Sequence, residues 1–191
     1  MFASLYNRVL AWAEHRFAVR ILALFSFAES IFFPIPTDVM LVPIVLRSPQ
    51  HALRIAAITT VTSVAGGLVG YFLGAFAFAH LEPVLQQLGY WEKYLRVIEW
   101  FEAWGFWVVF IAGFSPLPYK LFTIAAGALH LALVPFLIAS LVGRGARFFL
   151  VAQVVAVFGP RVEPTVRKNI EWLGWATVIL LAAVIGYYTL R

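Results

Sequence analysis

Residues 27–41 read FAESIFFPIPTDVML, an apolar run holding two carboxylates, Glu29 and Asp38, and two closely spaced prolines, Pro34 and Pro36. A proline inside a helix removes a backbone donor and clashes with the preceding turn. The run therefore reads as a helix that breaks. Residues 110–129, FIAGFSPLPYKLFTIAAGAL, repeat the pattern, with Pro116 and Pro118 at the same Pro-x-Pro spacing. Just past the second proline the first copy has Asp38, where the second has Lys120. A duplicated break, one acidic and one basic, predicts a polar site inside a membrane.

The rest of the composition agrees. The 191-residue chain is 63% hydrophobic and 12% charged, with a mean hydropathy of +0.90. Soluble domains carry about 25% charged residues, so the expected class is an all-α integral membrane protein forming a single membrane domain over 1–191. The formal net charge of +5 is accounted for by basic residues flanking spans and meeting anionic headgroups. It calls for no nucleic-acid partner. The absence of cysteine excludes disulfides and thiolate metal sites.

Taken in order, residues 1–16 form a weak amphipathic stripe suited to lying in the interface. Arg8, Arg16 and Arg20 precede a short apolar run as in a signal peptide, but Glu29 interrupts that run and no cleavage site follows, so the segment is read as retained. Residues 17–46 contain Pro34, Pro36 and Pro43. Broken backbone survives at membrane depth only when wrapped by protein or lining a polar cavity, which favours a re-entrant hairpin over one span. A basic loop, 47–54, leads to the cleanest transmembrane helix, 55–79, where Gly66, Gly70 and Gly74 make a small-residue ridge for close packing. Residues 81–104 alternate apolar and charged positions at helical spacing. They read as an amphipathic interfacial segment, with a gating lid as the alternative. A second re-entrant hairpin, 106–129, precedes transmembrane helices at 131–158 and 172–190.

The loops at 47–54 and 159–170 are net basic and the 80–104 segment is net acidic. The basic loops are assigned to the cytoplasmic side. The first half then inverts into the second, giving an inverted-repeat bundle with two opposing re-entrant hairpins.

The candidate chemistry lies in few residues. A carboxylate within the membrane costs about 2.5–3.5 kcal/mol on insertion scales, so Glu29 and Asp38 are read as proton-coupling or gating groups. For Asp38 the competing reading is capping of the helix that follows the break. Lys120, just past the second elbow, either snorkels to the interface or meets a phosphate or carboxylate. Arg144 and Arg147, three apart on one helix face, suit bidentate phosphate binding or a structural ion pair with Glu29 or Asp38. Ser115 is read as capping backbone at its break. The four histidines are scattered without ligand spacing, so no metal or other cofactor is assigned. No nucleophile–base pair supports an enzyme.

On FAESIFFPIPTDVML, GFSPLPYKLFTIAAGAL and GRGARFF, from about residue 23 to 158, the chain resembles the DedA family, the bacterial branch of the VTT or SNARE-associated membrane proteins, and within it the YqaA-like members. The resemblance implies two facing re-entrant hairpins, lipid transport of undecaprenyl phosphate or phospholipids driven by the proton-motive force, and a multi-pass place in the bacterial inner membrane. Eukaryotic relatives are scramblases. Glu29 and Asp38 match the family's acidic pair. The family's second hairpin has arginine on both sides of a proline, whereas this chain has Gly113 at the first position and Lys120 displaced by one beyond the second. Arg144 and Arg147 are then expected to supply the missing charge.

The expected function is a flippase- or scramblase-like transporter, proton-coupled, moving a phosphate-bearing lipid between leaflets. Lys120, Arg144 and Arg147 would bind substrate, and Glu29 and Asp38 would carry the proton. Its partners are anionic lipid headgroups and protons, with homo-oligomerisation left open. The alternatives are a proton-coupled solute or ion transporter and a non-transport scaffold subunit.

Overall fold

The computed structural model describes residues 11–33, 35–87, 91–115, 118–159 and 161. Among them every regular element is helical. We label these α1 (Ala18–Glu29), α2 (Asp38–Arg47), α3 (Ala52–Gln87, entered through a 3-10 turn at Pro49–His51), α4 (Trp91–Phe114), α5 (Tyr119–Ala128) and α6 (Leu133–Gly159). Three stretches are long and apolar enough to cross a membrane: Pro49–Phe78, Leu95–Phe114 and Leu133–Gly159.

Both proline-containing runs are interrupted. The first stops at Glu29, turns at residues 30–32, and resumes as α2 at Asp38. In the second, α4 ends at Phe114 and α5 opens at Tyr119. Pro36 and Pro118 stand immediately before the restarted helices, while Pro34 and Pro116 lie outside the described residues. At 1.5 Å per residue, the 12 residues of α1 extend about 18 Å and the 10 residues each of α2 and α5 about 15 Å. Each is roughly half of a ~30 Å hydrocarbon core. Pro43, expected to break the chain, sits inside α2. There it removes only one helical hydrogen bond, and its ring is buried in the bundle.

The expected segment 81–104 is not a separate element. Its first part continues α3 to Gln87 and its remainder, from Trp91, belongs to α4. Its change of polarity does not end the backbone ladder, so the first arm of the second broken run begins at Trp91 rather than at 106. Of the expected 1–16 helix, only 11–16 fall within the described residues, with 11–13 helical. The expected helix 172–190 lies outside them.

Packing centres on α3, whose main partners are α5 and α1. Close approach is possible because the expected glycine ridge faces both. A Cβ on Gly66 would lie 2.3 Å from the Phe27 carbonyl oxygen of α1, one on Gly70 2.5 Å from Thr123 Oγ1, and one on Gly74 2.0 Å from the Ile124 carbonyl oxygen of α5. Ser26 donates to the Thr59 carbonyl and Ser30 bonds Ser63, the same 33-residue offset in each case, so α1 and α3 run parallel in register. Helix α6 behaves alike toward α4: a Cβ on Gly143 would come 2.6 Å from the Phe110 carbonyl oxygen. Phe148 and Ala152 of α6 bury against Leu41, Ile44 and Val45 of α2. Each long helix thus packs on one arm of both broken runs.

Candidate functional site

The freed carbonyls at the two breaks explain where the basic residues go. In hydrocarbon such groups require partners. Lys120, on α5 of the second run, donates to the carbonyls of Phe33 at 3.1 Å and Phe32 at 3.4 Å in the first. These carbonyls trail the C-terminal end of α1, where a cation also meets the favourable end of the helix dipole. At the other break, Arg147 of α6 donates through Nη1 to the Ser115 carbonyl at 2.5 Å. Each break is tied by a cation from another helix.

Two arginines of α6 also meet the acids. Arg144 is 4% exposed. Its Nη2 donates to Glu29 Oε2 at 2.7 Å and its Nε to Ser63 Oγ at 2.6 Å. Its guanidinium lies between the Phe148 and Tyr119 rings, 4.6 and 4.9 Å from their centroids. Arg147 Nη2 donates to Asp38 Oδ2. Thr37 Oγ1 donates to Glu29 Oε2 at 3.4 Å. Asp38 is the first residue of α2 but not its cap: the N-cap is Thr37, which makes no side-chain cap bond. Asp38 Oδ1 is buried and accepts no hydrogen bond from the described residues. The ion pairs weighed for Arg144 and Arg147 are both formed, whereas a side-chain cap by Asp38 is not.

Between these groups opens a cavity of 480 Å³. Glu29, Thr37 and Asp38 line it from the first break, Lys120 from the second, and Arg144 and Arg147 from α6. All five charged residues singled out from the sequence therefore face one volume. No group of His, Cys, Asp or Glu among the described residues is arranged to hold a metal.

The model of the VTT domain matches residues 33–157. The chain belongs to the VTT-domain, or DedA, family. An uncharacterised protein of Haemophilus influenzae is 46% identical over all of this chain and 98% of its own length. One from Histophilus somni is 44% identical over all of this chain and 99% of its own. Undecaprenyl phosphate transporter A of Staphylococcus aureus is 28% identical over 67% of this chain and 68% of its own. No solved structure matches.

In this DedA-family protein Gly113 of α4 faces α6. A Cβ there would lie 3.2 Å from the Arg144 backbone nitrogen. Helix α6 occupies the space a larger side chain would need, and α6 itself delivers two guanidiniums to the cavity.

Four participants were not assigned to the site from the sequence, among them Thr37, which donates to Glu29. Ser63 holds Arg144 and also bonds Ser30 at 2.8 Å, while Tyr119 and Phe148 sandwich the guanidinium. Ser63 carried a legible signal, since it lies one turn before Gly66 on the close-packed face of α3. The stacking on Tyr119 depends on how α5 packs against α6 and left none.

Proposed function

We propose that this DedA-family protein transports a phosphate-bearing lipid between the leaflets of a bacterial cytoplasmic membrane, coupled to protons. In this reading the two broken runs are re-entrant hairpins entering from opposite faces, related as an inverted repeat. The matching close approaches of Gly66 to Phe27 and Gly143 to Phe110 support that relation. So does the sharing of each long helix between both runs.

One observation carries the proposal: two arginine–carboxylate pairs and a lysine line a single cavity at the breaks. A lipid phosphate offers the same bidentate acceptor geometry as a carboxylate. Phosphate and carboxylate therefore compete for Arg144 and Arg147. Protonating Glu29 or Asp38 removes the negative charge that holds each guanidinium, releasing it to the phosphate. Deprotonation restores the internal pair and expels the headgroup. Proton and lipid phosphate then move together, as a symport. The apolar tail need not enter the cavity. Val39, which lines it, is 56% exposed, and Phe32, next in sequence to the lining residue Phe33, is 69% exposed, leaving an apolar route for the chain into the bilayer.

The name of the Staphylococcus aureus relative, an undecaprenyl phosphate transporter, makes a polyprenyl phosphate the first substrate to test. The protein would be reconstituted in vesicles carrying labelled undecaprenyl phosphate or labelled phosphatidylglycerol in one leaflet. Wild type should speed leaflet exchange, and Glu29→Gln and Arg147→Gln should abolish the gain. Exchange no faster than in empty vesicles, or equal in wild type and both variants, would refute the reading. Uptake of a small anion irrespective of lipid composition would favour the solute-transporter alternative.

A further inference from the structure

A second cavity, of 410 Å³, lies at the other end of α1, between that helix and the start of α3. Arg16, Arg20, His51 and Arg54 line it, and no acidic residue among those described does. Glu14, the nearest acid in sequence, is instead paired with Arg47 at 3.3 Å. Arg16 and Arg20 both stack on Phe17, with Cζ atoms 4.6 and 5.4 Å from its ring centroid. The ring thereby holds two like charges side by side. Uncompensated guanidiniums gathered around a concave space repel one another until an anion joins them, and phosphate oxygens match their fork geometry. Ser48 adds a hydroxyl donor at the same rim.

The surroundings specify what carries the phosphate. The cavity also has an apolar lining, Val19, Ile55 and Ile58. Leu24, one helical turn beyond Arg20 on the same face, is 70% exposed. A headgroup seated among the arginines would lay its chains along that surface, whereas free phosphate would leave it unused. Depth agrees as well. Because α1 and α3 are parallel and in register, Arg20 and Arg54 each lie about nine residues, or about 14 Å, before Glu29 and Ser63. If the Glu29 site is at mid-membrane, as the proposed function has it, these arginines stand at the headgroup layer of a ~30 Å core.

We propose that this cavity binds the phosphate of an anionic phospholipid headgroup, as a resident lipid site separate from the cavity at the helix breaks. Spin-labelled phosphatidylglycerol and phosphatidylcholine would be compared, by electron paramagnetic resonance, for association with the protein in phosphatidylcholine vesicles. The probe lipids would be added to wild type and to the triple variant Arg16→Gln, Arg20→Gln, Arg54→Gln. Wild type should prefer phosphatidylglycerol several-fold, and the triple variant should lose most of that preference. Equal association of the two lipids with wild type, or a preference unchanged in the triple variant, would overturn the proposal.

Titration with millimolar inorganic phosphate separates the sources. Little displacement of the lipid is expected, and full displacement would assign the site to the free anion. Leaflet exchange by the triple variant in neutral vesicles should persist, because it depends on the other cavity. Loss of exchange in wild type with intact lipid preference would count against the transport reading alone.

Discussion

The carboxylate of Glu29 and the guanidinium of Arg144, 115 positions apart in the chain, meet at 2.7 Å with side-chain exposures of 15% and 5%. A charge pair so withdrawn from solvent is a strong constraint on the bundle, because removing one partner strands the other. Breaking such a pair costs about 3–5 kcal/mol. Arg144→Met should therefore lower thermal stability in detergent sharply, whereas the double variant Glu29→Gln, Arg144→Met should recover much of the loss. Additive losses in that cycle would mean that the two groups do not act on each other.

Lys120 should matter to the fold as well as to any substrate. Replacing it by methionine keeps the apolar stem but leaves the Phe32 and Phe33 carbonyls without their donor. An unanswered polar group of this kind costs about 1–3 kcal/mol. Lys120→Arg should restore most of the stability, measured by unfolding in detergent. Full stability of Lys120→Met would show that water satisfies those carbonyls.

The glycines separate into two kinds. A Cβ at Gly127 would fall 1.8 Å from the Tyr71 carbonyl oxygen, so Gly127→Ala must push α5 away from α3. Overpacking of this sort costs about 1–3 kcal/mol or more. At Gly145 the nearest atom, Thr60 Cγ2, would be 3.6 Å away. Gly145→Ala should be tolerated or stabilise by about 0.5–1 kcal/mol, since alanine loses less freedom on entering a helix. Melting temperatures of the two variants should move in opposite directions.

Much of the candidate site was legible because proline acts locally. Pro36 and Pro118 mark the restart of their helices whatever the rest of the chain does, and the acids and bases beside them are costly enough in a membrane to stand out. Which base meets which acid was not legible. Whether Arg144 faces Glu29 or Asp38 depends on the rotation of α6 against α1 and α2, which is fixed by contacts such as Phe148 with Leu41 and Gly143 with Phe110. The polarity change near residue 80 is not a helix boundary. It records where side chains change character, while the backbone ladder of α3 continues to Gln87.

Proton coupling makes a directional prediction. With a pH difference imposed across reconstituted vesicles, labelled lipid phosphate should move faster from the acidic to the alkaline side than the reverse. In Asp38→Asn, which leaves no carboxylate to take up a proton opposite Arg147, that asymmetry should vanish. An asymmetry of the opposite sign in wild type would replace symport by antiport.

The most direct test concerns where the two breaks sit. The chain has no cysteine of its own, so nitroxide labels can be placed singly at Val39 and Pro118, which line the cavity from either break. In bilayers, power-saturation measurements should put both labels at the same depth, near the membrane centre, and in contact with a water-soluble paramagnetic reagent. Labels at headgroup depth on opposite faces, or buried centrally but beyond reach of that reagent, would contradict a shared polar cavity within the membrane.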